Sequence, residues 1–144
     1  MSIILFGGAS SERLVSVASA QNVSSHLPDA QCWFLSKAGE VFVVPREHLA
    51  AHQRAFEHEF DPGVAATWPT LEAALDSAAA GGQVFFLALH GGDGENGVTQ
   101  RKLEARGLAF TGSGSRASAD AFDKAKAKQL AAAKGARIAE AVEL

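Results

Sequence analysis

At 144 residues, with 47% apolar and 20% charged side chains, the chain has the composition of one folded domain with a real core, which excludes a disordered segment. A formal net charge of −3 and an isoelectric point near 5.9 argue against a polyanionic partner, so nucleic-acid binding is not expected. The single cysteine, Cys32, excludes an internal disulfide and a cysteine-rich metal site.

The chain opens MSIILFGG, with four apolar residues in a row and no preceding positive charge. That run is too short for a signal segment or a membrane span, so the cytoplasm is the expected compartment. Closed by Gly7-Gly8, residues 3–6 predict a central parallel strand. Residues 10–27 carry Leu14, Val17, Ala18 and Val23 at broadly helical spacing, with Ser10 or Ser11 available as N-cap and Pro28-Asp29 as the stop. Residues 31–35 and 41–44 predict two strands around a turn, and Cys32 in the first is expected to be an inert buried thiol. Residues 46–69 mix His, charged residues, Phe56, Phe60 and Trp68, broken at Pro62-Gly63, and are expected to be a surface excursion with one short helix.

Residues 70–80 predict a helix, with Leu71, Ala74, Leu75 and Ala78 on one face and Gly81-Gly82 as its end. The most apolar strand follows at 84–89, then a helix at 98–106 stopped by Gly107, and a short strand at 108–110. Residues 115–122 and 123–134 are Ala-rich helix formers with a break at Asp123. Residues 138–144 alternate like the first strand of a new sheet that has no visible partner. The expected architecture is α/β: a Rossmann-like, open, mostly parallel sheet with flanking helices over 1–121. Residues 122–144 are expected to begin a second domain, with the chain stopping inside it.

Chemistry-bearing residues gather where strands run into glycine-rich loops, which is where open α/β sheets hold ligands. Glu12 follows the first strand; it is either an acid favoured by the helix dipole or a carboxylate for a substrate ammonium. His90 opens HGGDGENG, and either bonds a nearby carbonyl or lines a ligand site. The DKAKAK run at 123–128 places Lys124 and Lys128 one helical turn apart, as a solvated surface or as a phosphate-facing lysine. His48 and His52 have a spacing that could hold a metal, but no H-E-x-x-H pattern supports it. The Gly7-Gly8 segment after the first strand does not make the G-x-G-x-x-G fingerprint of a nicotinamide-binding domain.

In this order, FGGASSERLVSVASA (6–20), ALHGGDGENGVTQ (88–100), TGSGSRASA (111–119) and DKAKAK (123–128) resemble the N-terminal part of the D-alanine–D-alanine ligases, members of the ATP-grasp superfamily. The resemblance implies that Glu12, as catalytic and substrate-binding acid, receives the amino group of the first D-alanine, with His90 and Ser10 lining the same subsite. Ser16 fits the first block in a structural role. By the same resemblance Lys124 approaches the ATP phosphates. The implied reaction phosphorylates one D-alanine with ATP and Mg²⁺, and the amine of a second D-alanine attacks the acyl phosphate.

The magnesium ligands of the family correspond to positions beyond Leu144. The resemblance therefore implies no metal ligand within this chain, no catalysis by it alone, and pairing with a second copy through this domain. A ligase with another second substrate, such as D-lactate, and a non-catalytic binding module fit the same motifs. Asn96 stands where the family usually has Asp, and Glu140 where Pro is common.

Overall fold

The computed structural model describes residues 1–140. Its centre is a five-stranded sheet in the order β3-β2-β1-β4-β5. The strands are β1 (Ser2–Gly7), β2 (Gln31–Leu35), β3 (Val41–Val44), β4 (Val84–Leu87) and β5 (Ala109–Phe110). β1 pairs in parallel with β2 and β4, and β4 in parallel with β5. β3 runs antiparallel to β2 because the connection between them is a tight turn, closed by the Ser36 N–H donating to the Glu40 carbonyl at 2.9 Å. Such a turn can join only antiparallel neighbours; the parallel pair β1–β2 needs the crossover that helix α1 (Arg13–His26) supplies.

Every residue of the Ile3–Phe6 run is fully buried, so β1 is covered on both faces. Side chains alternate along a strand, and the two faces build two cores. Ile3 and Leu5 pack with Leu71, Ala74, Leu75 and Leu103 from α3 (Leu71–Ala78) and α4 (Val98–Glu104). Ile4 and Phe6 pack with Val17 and Ala20 of α1 and Leu49 of α2 (Arg46–Ala51). The result is the open, mostly parallel α/β sheet expected from the sequence, with Cys32 buried in it. The Thr70 side chain caps α3 by accepting from the Ala73 N–H at 3.2 Å.

Several expected boundaries move. The first helix begins at Arg13, with Glu12 at the N-cap position, where Ser10 or Ser11 was expected. The Ser10 hydroxyl acts earlier, accepting from the Glu12 N–H at 3.0 Å and tightening the turn that leads into the helix. β4 ends at Leu87; Ala88 makes one further ladder bond to the Leu5 carbonyl (2.9 Å) before the chain turns into the loop. α4 stops at Glu104, short of residue 106.

The excursion after β3 is more than surface. α2 is the expected short helix, but Ala55 and Phe60 are each only 7% exposed and belong to the core. The Phe60 ring lies 5.7 Å from Phe6 and 5.1 Å from Phe34, edge-on to both. Trp68 returns to the sheet, its carbonyl accepting from the Val41 N–H at 2.9 Å and its ring 4.5 Å from Trp33.

Helices α5 (Ser115–Phe122) and α6 (Lys124–Ala133) fall where the sequence predicts them, broken at Asp123, whose carboxylate caps α6 at the Lys126 N–H (3.0 Å). Neither helix buries a residue. The strand expected over 138–144 rests on residues 141–144, outside those described; 138–140 carry no regular structure. No helix among the described residues is long and apolar enough to cross a membrane.

Candidate functional site

β1 and β4 are neighbours at the centre of the sheet, and successive connections leave this pair toward opposite edges. Such a switch point opens a crevice at the carboxyl ends of the strands. Two loops fill it here, residues 8–12 after β1 and residues 88–97 after β4. Ser16, fully buried on α1, ties them together: its hydroxyl accepts from the Gly7 N–H and donates to the Ala88 carbonyl, both at 2.7 Å.

The loops close on each other because Gly91 lacks a side chain. It sits at φ +65, and a Cβ there would stand 2.5 Å from the Ser10 hydroxyl oxygen and 3.4 Å from the Glu12 carboxyl carbon. This contact brings Glu12 beside His90. One ring nitrogen of His90 and one carboxylate oxygen from each of Glu12 and Glu95 lie within 4.8 Å of one another. The other side of the His90 ring is held by Ser19 on α1, whose hydroxyl is 2.8 Å from Nε2. Nδ1 faces Glu95, 3.9 Å from Oε1.

Two cavities meet at this point. One, of about 430 Å³, is lined by Ser10, Glu12, Glu95, Phe122 and Lys124. The other, of about 560 Å³, extends over the ends of β1 and β2 and is lined by Ser10, His90, Lys37 and Lys102 among others. Ser10, Gly91 and Gly92 belong to both. The structure therefore brings Ser10, Glu12 and His90 into one cluster and places Lys124 with Glu12 in the lining of the smaller cavity.

The cations of the larger cavity are already paired. Lys102 reaches Glu72 at 2.7 Å, and its hydrogen bond holds the Glu72 carboxyl below the usual range. Lys37 reaches Glu59 at 2.9 Å, and Arg13 grips the same carboxylate through Nε at 3.0 Å. These two hydrogen bonds push the Glu59 pKa down to about 2. Within the lysine run, Lys126 pairs with Asp120 and Lys128 donates to the Ala139 carbonyl at 3.2 Å.

His48 and His52 do not build a metal site. Their Nε2 atoms contact the carbonyls of Asp61 (2.7 Å) and His58 (3.2 Å), and both rings stand edge-on to Phe60. Asn96 closes the loop, its amide donating to Asp93 at 3.1 Å and its carbonyl oxygen accepting from the Val98 N–H at 3.0 Å.

Sequence reasoning did not pick out Ser19 or Glu95 as members of the cluster. Ser19 stands seven positions after Glu12, two turns along the same helix face, a spacing that could have marked it. Glu95 had no such signal, because its place depends on the backbone course of a glycine-rich loop.

A family profile described as "D-ala D-ala ligase N-terminus" matches residues 2–113. A D-alanine–D-alanine ligase of Leptospira interrogans is 31% identical over 152 aligned positions, covering 98% of this chain and 42% of the relative. One from Cupriavidus necator is 37% identical over 129 positions, covering 88% of this chain and 30% of the relative. The crystal structure of the D-alanine–D-alanine ligase from Helicobacter pylori superposes with a TM-score of 0.69 at 25% identity, over 93% of this chain and 44% of that one. The chain thus spans well under half the length of these relatives. With the profile covering both site loops and the entire sheet, the chain belongs to the D-alanine–D-alanine ligase N-terminal family.

Proposed function

We propose that this chain holds the first D-alanine of an ATP-dependent ligation that joins two D-alanines through an acyl phosphate, a cytoplasmic step in making peptidoglycan precursors. The observation that carries the reading is the approach of Glu12 to His90 at the switch point, from two loops far apart in sequence. Family membership and the names of the relatives support it.

In this reading the Glu12 carboxylate accepts hydrogen bonds from the substrate ammonium, a charge-assisted contact about twice as strong as a neutral one. His90, its ring fixed by Ser19, forms the adjacent wall. The Ser10 hydroxyl oxygen already accepts from the Glu12 N–H, which leaves its proton to donate to the substrate carboxylate.

ATP would supply the phosphoryl group that activates that carboxylate. Lys124, lining the cavity with Glu12, fits a phosphate as a compact ammonium charge. Mg²⁺ is not fitted by this chain's one close cluster of ligating side chains among the described residues, because that cluster includes an imidazole where Mg²⁺ takes oxygen. Phosphate activation therefore falls to the further length that the relatives possess. The chain by itself releases no phosphate from ATP, Mg²⁺ and D-alanine.

Titration calorimetry with D-alanine and L-alanine tests the reading. D-alanine binds the chain more tightly than its enantiomer, and Glu12→Gln weakens it by about ten-fold or more, the loss of one charge-assisted contact worth 1.5–3 kcal/mol. Equal binding of both enantiomers, or a Glu12→Gln variant that binds as the parent does, refutes it.

A further inference from the structure

We propose that Glu12, His90 and Glu95 form a binding site for a divalent transition-metal ion, Zn²⁺ in particular. Each residue offers one ligand atom, and the three atoms lie within 4.8 Å of one another. Zinc bonds to nitrogen and oxygen of about 2.0–2.2 Å place neighbouring tetrahedral donors about 3.4 Å apart. His90 Nδ1 and Glu95 Oε1 are already at 3.9 Å. Both glutamates are exposed, so core packing does not hold their side-chain torsions, and we assign the closing of the remaining gap to those torsions.

The histidine is held as a zinc ligand is held. A ligating imidazole donates its second ring N–H to an outer partner, which fixes both tautomer and ring plane. Ser19 occupies that place, 2.8 Å from Nε2. We assign the proton to Nε2, which turns the Nδ1 lone pair toward Glu95. Three protein ligands and one open position is the arrangement of a zinc site accessible to exchangeable ligands. One imidazole and two carboxylates select against Mg²⁺, which takes oxygen in an octahedral shell. Two carboxylates this close also repel, and a dication relieves that repulsion.

Glu12 cannot serve a metal ion and an ammonium in one geometry, so Zn²⁺ and an amino acid would exclude each other. That consequence rests on the amino-acid reading of Glu12 given above; the metal site rests on geometry alone.

The test is calorimetric titration of the chain with Zn²⁺ in a non-chelating buffer near neutral pH, with circular dichroism to confirm that each variant is folded. One tight site is expected. It weakens by about ten-fold or more in His90→Asn and in Glu95→Gln, and is unchanged in His48→Asn, which removes the rival His48–His52 pair. Nitrogen chemical shifts of the histidine rings in the parent chain provide a readout independent of any variant: Zn²⁺ moves His90 Nδ1 first. Absence of a tight site, its loss in His48→Asn, or a first shift at any other histidine overturns the proposal. Repeating the titration with D-alanine, and with L-alanine at the same concentration to match the Zn²⁺ that free amino acid chelates, separates the two readings. Zn²⁺ binding weakened more by D-alanine than by L-alanine supports both, whereas equal effects leave the metal site standing and count against the amino-acid site.

Discussion

Ser16 shows how much one side chain can fix. Its hydroxyl satisfies a donor on the loop after β1 and an acceptor on the loop after β4, in a place water does not reach. Ser16→Ala leaves both groups unpaired, and the expected cost is about 2 kcal/mol, read as a lowered denaturation midpoint at unchanged slope. A loss under about half a kcal/mol would mean that the loops are held by other contacts. Ser16 was legible in the sequence only as part of a matching block. The pattern gives no reason for a serine on the buried face of a helix until the two loop ends are seen beside it. Glu12 and His90 were legible for a different reason: Glu12 comes four residues after the Gly7-Gly8 pair that closes one apolar strand, and His90 leads from another into Gly91-Gly92, so the end of the sheet is their natural place. Glu95 was not, because four glycines in eight residues leave the loop's course to tertiary contacts.

Elements with clear periodicity were readable from the sequence alone. β2, β3 and α5 fall on the predicted residues, because short apolar runs between turn residues and an Ala-rich run between Gly114 and Asp123 leave little choice. The segment after α2 was not readable: Phe60 is an isolated aromatic among charged residues, and its burial depends on the Phe6–Phe34 surface it meets. That segment is also tied down by charge. Glu59, gripped by Arg13 and Lys37, has its pKa lowered from 4.5 to about 2. A carboxylate with a depressed folded-state pKa contributes stability above its unfolded value and loses it as pH falls through the folded one. Stability should therefore decline between about pH 4.5 and 2, and Glu59→Gln should flatten that decline. Glu59 is largely exposed, so the effect stays below about 1 kcal/mol, measured by denaturant midpoints across the range.

The end of the site cluster is set by how α5 docks on α4. Gly97 stands at φ +90 with the Ser115 carbonyl oxygen where a Cβ would lie, and Glu104 accepts from the Ser115 N–H at 2.8 Å. Gly97→Ala should lift α5 and raise amide exchange across Ser115–Phe122, while leaving β1 and β4 protected. Equal loss of protection in both would show that the fold, and not the docking, depends on that glycine.

Taken whole, the molecule is a sheet whose central strands end in two interlocked loops, with a lysine-bearing helix beside them. Pairing with a second copy, implied by the family resemblance, is checked by sedimentation: a concentration-dependent dimer is expected, and a monomer at every concentration would refute it. The central claim is that the two loops make one amino-acid site. Amide spectra of the ¹⁵N-labelled chain titrated with D-alanine test it most directly. Shifts should concentrate in residues 8–13 and 90–96 and saturate with a single constant for both loops. Shifts confined to one loop, different constants for the two, or changes elsewhere on the sheet would contradict it.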